Sequence, residues 1–319
     1  MYIYLLLVGL LLAVAPMNAK PYPIQFGIPE CKVVGHIPSK DKDFATVNPY
    51  NRDTYVFTNE VDYYSDYQRS YYAVTCKKAG WDCMRHYEIL ANGCIPYFNN
   101  LHECPDDTMA FLPRKLITEA MNLKGVHFQN RKGQQVLYID HKKFDRIRYF
   151  EILKELIEHT KRYLTTKKMA QYVLKTVNYK GSGKILFISG CTWPDYMRCL
   201  LLTGLKELFN NNVVDTPKIP HIYNSYPQNA IIGLYGKGMS YTRNVEDLPV
   251  DRNNIEKRIR NKEFDLIVYG SAHRGLDYLD LVQQIYDPSE IVYICGEDIH
   301  GCQFKNFHNL FLREFEGNR

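Results

Sequence analysis

The sequence predicts an α/β protein of two Rossmann-like lobes joined by helices, on three observations. Apolar runs suited to buried strands alternate with helical patterns in residues 70–98 and again in 184–295, the order that builds parallel sheets with crossover helices. Between them, residues 147–177 carry two apolar stripes at helical spacing. At 319 residues the chain can also bury two cores of ordinary domain size. The predicted division is a leader at 1–19, a first lobe at 20–138, a helical connector at 139–180 and a second lobe at 181–319.

Residues 2–15 form an uncharged run that ends at Pro16. It is short of the about 20 residues a membrane span needs and suits the apolar region of a signal peptide or a short anchor. Membrane association or passage through the secretory pathway is therefore expected ahead of a cytoplasmic location. Residues 20–52 are Pro-rich and irregular, with one strand expected at Lys32–Ile37. Asp41-Lys42-Asp43 has the spacing of a metal-holding carboxylate pair, but it follows the turn Ile37-Pro38-Ser39-Lys40 and not a buried strand. A solvated charge cluster is the better reading.

Residues 70–98 read as strand, basic loop, helix, strand. Tyr71 to Thr75 is aromatic and β-branched, a helix is expected at about 83–92, and Cys94 to Phe98 is a second strand. Asp82 stands at the expected N-cap, and Gly93 can take the left-handed conformation that ends a helix. Trp81, Arg85, Glu88 and Asn92 follow at spacings of four, three and four, so they share a face. Lys77, Lys78 and Arg85 surround a helix N-terminus, which itself favours negative charge, and together they suit a diphosphate. Glu88, a turn further on, can accept hydrogen bonds from ribose hydroxyls. Spacing alone equally allows an amphipathic helix whose Arg85 and Glu88 pair on a solvated surface.

Pro113 to Leu123 predicts a short helix, and 126–139 a strand or loop. Ile147, Phe150, Leu153 and Ile157 make one stripe; Met169, Tyr172, Val173 and Val177 make another after a cap at Thr165-Thr166. In the second lobe, strands are expected at Lys184–Ser189, Phe264–Tyr269 and Ile291–Cys295, with helices at Asp195–Phe209 and Asp277–Tyr286. Ligands of parallel sheets bind beyond the carboxyl ends of the strands, and here those ends carry Gly190-Cys191-Thr192, His273, Glu297, Asp298 and His300. His273 and Asp298 are the candidate general bases for a sugar hydroxyl, against the alternative that such loop residues satisfy backbone amides. Gly236-Lys237-Gly238 is a further basic loop.

Composition excludes several classes. A net charge of +5 with Lys and Arg spread along the chain does not make the clustered basic surface of a nucleic-acid binder. Nine cysteines, none in a Cys-x-x-Cys pair, argue against both a disulfide framework and a thiolate zinc site. Neither a dinucleotide fingerprint nor a P-loop is present. The 26 tyrosines are the compositional outlier; those at 55, 63, 64, 67, 71 and 72 fit packing at sheet edges better than a stacking platform.

The basic loop, the helix with Arg85 and Glu88, and Ala91-Asn92-Gly93-Cys94-Ile95-Pro96 resemble the nucleotide-sugar-binding segment of GT-B glycosyltransferases. The likeness is densest to exostosin-like proteins and to glycosyltransferase-like proteins of large DNA viruses. It covers about residues 55 to 120, through Asp62-Tyr63-Tyr64-Ser65-Asp66 and Cys104-Pro105-Asp106-Asp107 to Pro113-Arg114-Lys115. The resemblance implies that Lys77, Lys78, Trp81, Arg85 and Glu88 form the substrate-binding side, with the lysines and Arg85 at the donor diphosphate and Glu88 at the ribose. It also implies a glycan or glycoprotein acceptor and no bound cofactor or metal. The order departs from the family, whose donor domain normally comes last. A non-catalytic nucleotide-sugar-binding or assembly protein is the alternative, and a metal-dependent GT-A-like transferase using Asp41 and Asp43 is a third reading.

Overall fold

A computed structural model describes residues 20–131, 134–181, 183–298 and 307–315. The expected leader at 1–19 and His300 lie outside them. Among the described residues no helix is long and apolar enough to cross a membrane.

Strand β1 (Tyr22–Pro23) opens the chain. The strand expected at Lys32–Ile37 is not formed: a 3-10 turn at Glu30–Lys32 is followed by irregular chain through residue 37. The first strand of the N-terminal sheet is instead β2 (Lys42–Phe44), inside the charged stretch. Helix α1 (Glu60–Arg69) follows, capped by Asn59, whose side chain accepts from the Asp62 amide at 2.9 Å. Its Tyr63, Tyr64 and Tyr67 are buried, so the tyrosine tract serves helix packing here and not sheet edges. Strand β3 (Ser70–Thr75), buried throughout, then leads to helix α2 (Met84–Ala91) and strand β4 (Ile95–Phe98). Strands β2, β3 and β4 form a three-stranded parallel sheet with Phe44, Tyr72 and Ile95 in register. Gly93 ends α2 at φ +63°.

Helix α3 (Arg114–Met121) and the antiparallel hairpin of β5 (Val126–Arg131) and β6 (Gln134–Ile139) extend this half. Helices α4 (Arg146–Tyr163) and α5 (Thr166–Thr176) connect the halves. The buried stripe of α4 runs through Tyr149, Ile152, Leu153, Leu156 and Ile157. Ile147, expected on that stripe, is 78% exposed.

The C-terminal half contributes β7 (Ile185–Ile188), α6 (Tyr196–Phe209), β8 (Val213–Thr216), α7 (Ile255–Arg260), β9 (Leu266–Tyr269), α8 (Leu279–Ile285), β10 (Ile291–Cys295) and β11 (Leu310–Leu312). Its sheet is parallel throughout, in the order β1-β11-β10-β9-β7-β8. The predicted first lobe therefore gives up β1 to the C-terminal sheet, where Tyr22 pairs with Phe311.

The central strands are buried on both faces by simple alternation. Ile185, Phe187, Leu266 and Val268 enter a core that runs on to Tyr72, Tyr149 and Leu156 of the other half. Leu186, Ile188, Ile267 and Tyr269 face a second core with Tyr293 and Val282. The two halves thus share apolar packing. Within the C-terminal half, the second strand lies outside the first and the third lies on its other side, so the strand order reverses between β7 and β9. Ligands of open parallel sheets bind at such a reversal, beyond the carboxyl ends.

Candidate active site

The residues that follow β3, β7, β9 and β10 line one cavity of about 1110 Å³. Lys78, Arg85 and Glu88 wall it on the N-terminal side; His273, Arg274, Glu297 and Asp298 wall it on the C-terminal side. At the strand reversal the loops nearly touch: a Cβ on Gly190, whose φ is +70°, would stand 3.1 Å from the Gly275 nitrogen. Glycine is required there both by the left-handed backbone and by the approach.

Helix α2 begins differently from expectation. Cys83 occupies the N-cap, and no side chain caps the helix. Asp82 turns away and accepts from the Phe26 amide at 2.8 Å and the Tyr87 hydroxyl at 2.6 Å. Burial pushes its carboxyl up to about 7, against the opposing pull of the Arg313 guanidinium.

Arg85 and Glu88 are both buried, which removes the solvated-pair reading. Arg85 is 9% exposed; its Nη2 donates to the Tyr55 hydroxyl at 2.7 Å, while Nε and Nη1 are buried with no hydrogen-bond partner among the described residues. An unpaired buried guanidinium edge is costly. Glu88 is already engaged. One oxygen accepts from the Tyr63 hydroxyl at 2.9 Å and the other from Ser240 of the C-terminal half. Burial raises its carboxyl pKa, and these two donors oppose the rise. Glu88 therefore bridges the halves, in place of the free ribose acceptor expected from the sequence.

The other expected binding residues divide. Lys78 lines the cavity and donates to the Pro49 carbonyl at 2.6 Å. Lys77 and Trp81 do not line it. The Lys77 amine lies 5.3 Å from the Trp81 ring centroid, and Trp81 is buried in the core with its amide donating to Glu314 at 3.0 Å.

No family model matches the chain, and no curated protein or solved structure matches it. The chemistry of the cavity has to be read from its own side chains.

On the C-terminal wall, His273 has a buried Nδ1 without a partner among the described residues, and its Nε2 faces Asp195 at 3.8 Å. Burial lowers its pKa, partly offset by Asp195, so the imidazole is held neutral. Asp298, the other candidate base, accepts from Arg313 at one oxygen. The sequence reading overlooked Asp195, which caps α6 by accepting from the Arg198 amide at 3.0 Å and also holds Arg274 at 2.7 Å. Its burial would raise the pKa, but the Arg198 amide and the guanidiniums of Arg198 and Arg274 bring it below the usual range. An Asp directly before a helical run was a readable cap signal. Tyr55, which holds Arg85, and Arg313, which holds Asp298, carried no such local signal.

Asp41 and Asp43 lie apart from this cavity. Asp41 is paired with Arg69 at 2.9 Å; Asp43 accepts from the Ile139 amide at 2.9 Å and from His141 at 2.7 Å. Among the described residues no cluster of three or more His, Cys, Asp or Glu is arranged to hold a metal.

Proposed function

We propose that the protein is a GT-B-like glycosyltransferase that moves a sugar from a nucleotide-sugar donor to a hydroxyl of a glycan or glycoprotein. The observation that carries this reading is that two residues with unpaired buried nitrogens among the described residues line one cavity: Arg85, with its Nε and Nη1, and His273, with its Nδ1. The first suits an anionic leaving group and the second a proton acceptor.

In the proposed reaction the bond between the sugar's anomeric carbon and the diphosphate oxygen breaks, and a bond to the acceptor oxygen forms. Arg85, Lys78 and the uncapped start of α2 stabilise the negative charge that develops on the departing diphosphate. The acceptor's proton passes to the imidazole of His273, which can take it because the ring is neutral. Tyr235 lines the same cavity, is 70% exposed, and has a ring that can stack on a base or sugar.

A second reading is a binding protein without turnover. It is favoured by the engagement of Glu88 with Tyr63 and Ser240 and of Asp298 with Arg313, which leaves those carboxylates structural work. Incubation of the protein with UDP- and GDP-sugars and a panel of glycan acceptors separates the two. Transfer, or slow sugar release, supports the enzyme; donor binding without either supports the binding protein. Turnover abolished by EDTA would contradict the metal-independent mechanism.

A further inference from the structure

Three cations at the cavity have in common that each donates to a neutral oxygen and none pairs with a carboxylate among the described residues. Lys78 Nζ donates to the Pro49 carbonyl, Arg85 Nη2 to the Tyr55 hydroxyl and Lys237 Nζ to the Phe57 carbonyl. All three acceptors belong to one segment, residues 49–57, in which Tyr50, Tyr55 and Val56 are 51%, 40% and 59% exposed. The cations themselves come from both halves: Lys78 and Arg85 around the start of α2, Lys237 from the loop between β8 and α7. By contrast, Arg274 and Arg313 on the same cavity are matched by Asp195 and by Asp298 and Glu314.

Lys237 does not reach this position by default. It sits at φ +56° between Gly236 at +59° and Gly238 at +66°, a conformation that a residue with a Cβ rarely adopts. The adjoining chain is fastened to the N-terminal half, with the Ser240 amide donating to Glu60 at 2.5 Å and the Tyr64 hydroxyl 2.8 Å from Ser240 Oγ. Charges that form no ion pair with a carboxylate among the described residues, one of them a guanidinium with two nitrogens lacking a partner there, are matched by a ligand carrying more than one negative charge.

We propose that Lys237 is a third phosphate-binding cation, supplied by the C-terminal half, and that residues 49–57 occupy the three cations until a diphosphate exchanges for them. This rests on the reading of the cavity as a nucleotide-sugar site and extends it to the half expected to serve the acceptor. Neutral oxygens are weaker partners for these groups than phosphate oxygens, so the exchange is favourable. Diphosphate binding would replace the Lys237–Phe57 link between the halves with one through the phosphate, and release the 49–57 segment from its three anchors.

The test is calorimetric titration of inorganic pyrophosphate and of UDP- and GDP-sugars into the wild type and Lys237→Met, which keeps the aliphatic stem and removes the charge. The mutation should weaken pyrophosphate binding about tenfold, the lower end for a charge-assisted bond. Tryptic cleavage after Arg52, within the segment, should quicken when pyrophosphate is added to the wild type. Loss of pyrophosphate affinity in Lys237→Met, with no nucleotide sugar bound by the wild type, would uphold the cation cluster while removing the transferase reading. Equal binding of nucleotide sugars to both proteins would keep that reading and overturn this inference. No pyrophosphate binding to the wild type, or pyrophosphate that slows or leaves unchanged the cleavage at Arg52, would also overturn it.

Discussion

Arg313 Nη1 donates to the Asp82 carbonyl at 2.7 Å, tying the end of β11 to the turn that starts α2. The same guanidinium donates to the Gly296 carbonyl at 3.0 Å and to Glu314 at 3.1 Å, and it reaches Asp298 at the cavity. Glu314 in turn accepts from the Trp81 and Asp82 amides at 3.0 and 2.9 Å. One buried cation thus joins the N-terminal wall of the cavity to the C-terminal wall. Arg313→Met would leave Asp82 and Glu314 buried without it. The expected loss is about 3–5 kcal/mol of stability, the usual cost of removing one partner from a buried ionic group, read from urea unfolding midpoints. A loss below about 1 kcal/mol would show the cluster to be energetically idle.

Asp82 gives this link a pH dependence. Because burial raises its pKa to about 7, the folded chain holds a proton that the unfolded chain releases near the ordinary value of about 3.9. Stability from this group is therefore full at low pH, falls as pH rises from about 4 to about 7, and levels off above. Asp82→Asn removes the titration. The stability of the mutant relative to wild type should improve across that window, and parallel pH profiles would contradict the assignment.

His273 makes a kinetic prediction. His273→Ala should cut transfer about 10²–10⁴-fold while leaving donor affinity nearly unchanged, as expected for a general base. Since burial lowers its pKa, the basic form persists to lower pH than for a free imidazole. The acid limb of kcat/KM should accordingly fall below the usual histidine range, near 6.5. A limb at or above that value, or full activity in the mutant, would take His273 out of the reaction.

The interface segment carries a fourth prediction. Ser240→Ala removes the donor to Glu88 and the partner of Tyr64. A loss of about 1–3 kcal/mol is expected from leaving a buried carboxylate oxygen unsatisfied, and an unchanged melting curve would mean that water replaces the hydroxyl.

How much of this was legible depends on where each element finds its partners. Strands β3, β4, β7, β9 and β10 are buried runs, and burial on both faces writes itself as apolar sequence. The N-cap at Asp195 and the left-handed Gly93 are likewise local signals. Strand β2 was hidden because Lys42 and Asp43 are charged; Lys42 bonds Asp66 and Asp43 holds the Ile139 amide, contacts made only in the fold. Helix α1 was hidden for a related reason, its tyrosines being interspersed with the polar and acidic Glu60, Asp62, Ser65 and Asp66. Spacing placed Arg85 and Glu88 correctly on one helix but could not say that both are buried. That depends on Tyr63 and on Ser240, 152 residues away from Glu88. The dual role of Asp82 and Arg313 is tertiary in the same sense, since they are 231 residues apart.

The central claim is that the cavity between the sheets holds a nucleotide sugar through Arg85. Calorimetric titration of UDP- and GDP-sugars into wild type and Arg85→Ala, with circular dichroism to establish that the mutant is folded, tests it most directly. The account predicts that at least one nucleotide sugar binds the wild type and that the mutation weakens it by about 1.5–3 kcal/mol, the scale of a charge-assisted hydrogen bond. Equal affinity in the two proteins, or no nucleotide sugar bound by the wild type, would contradict it.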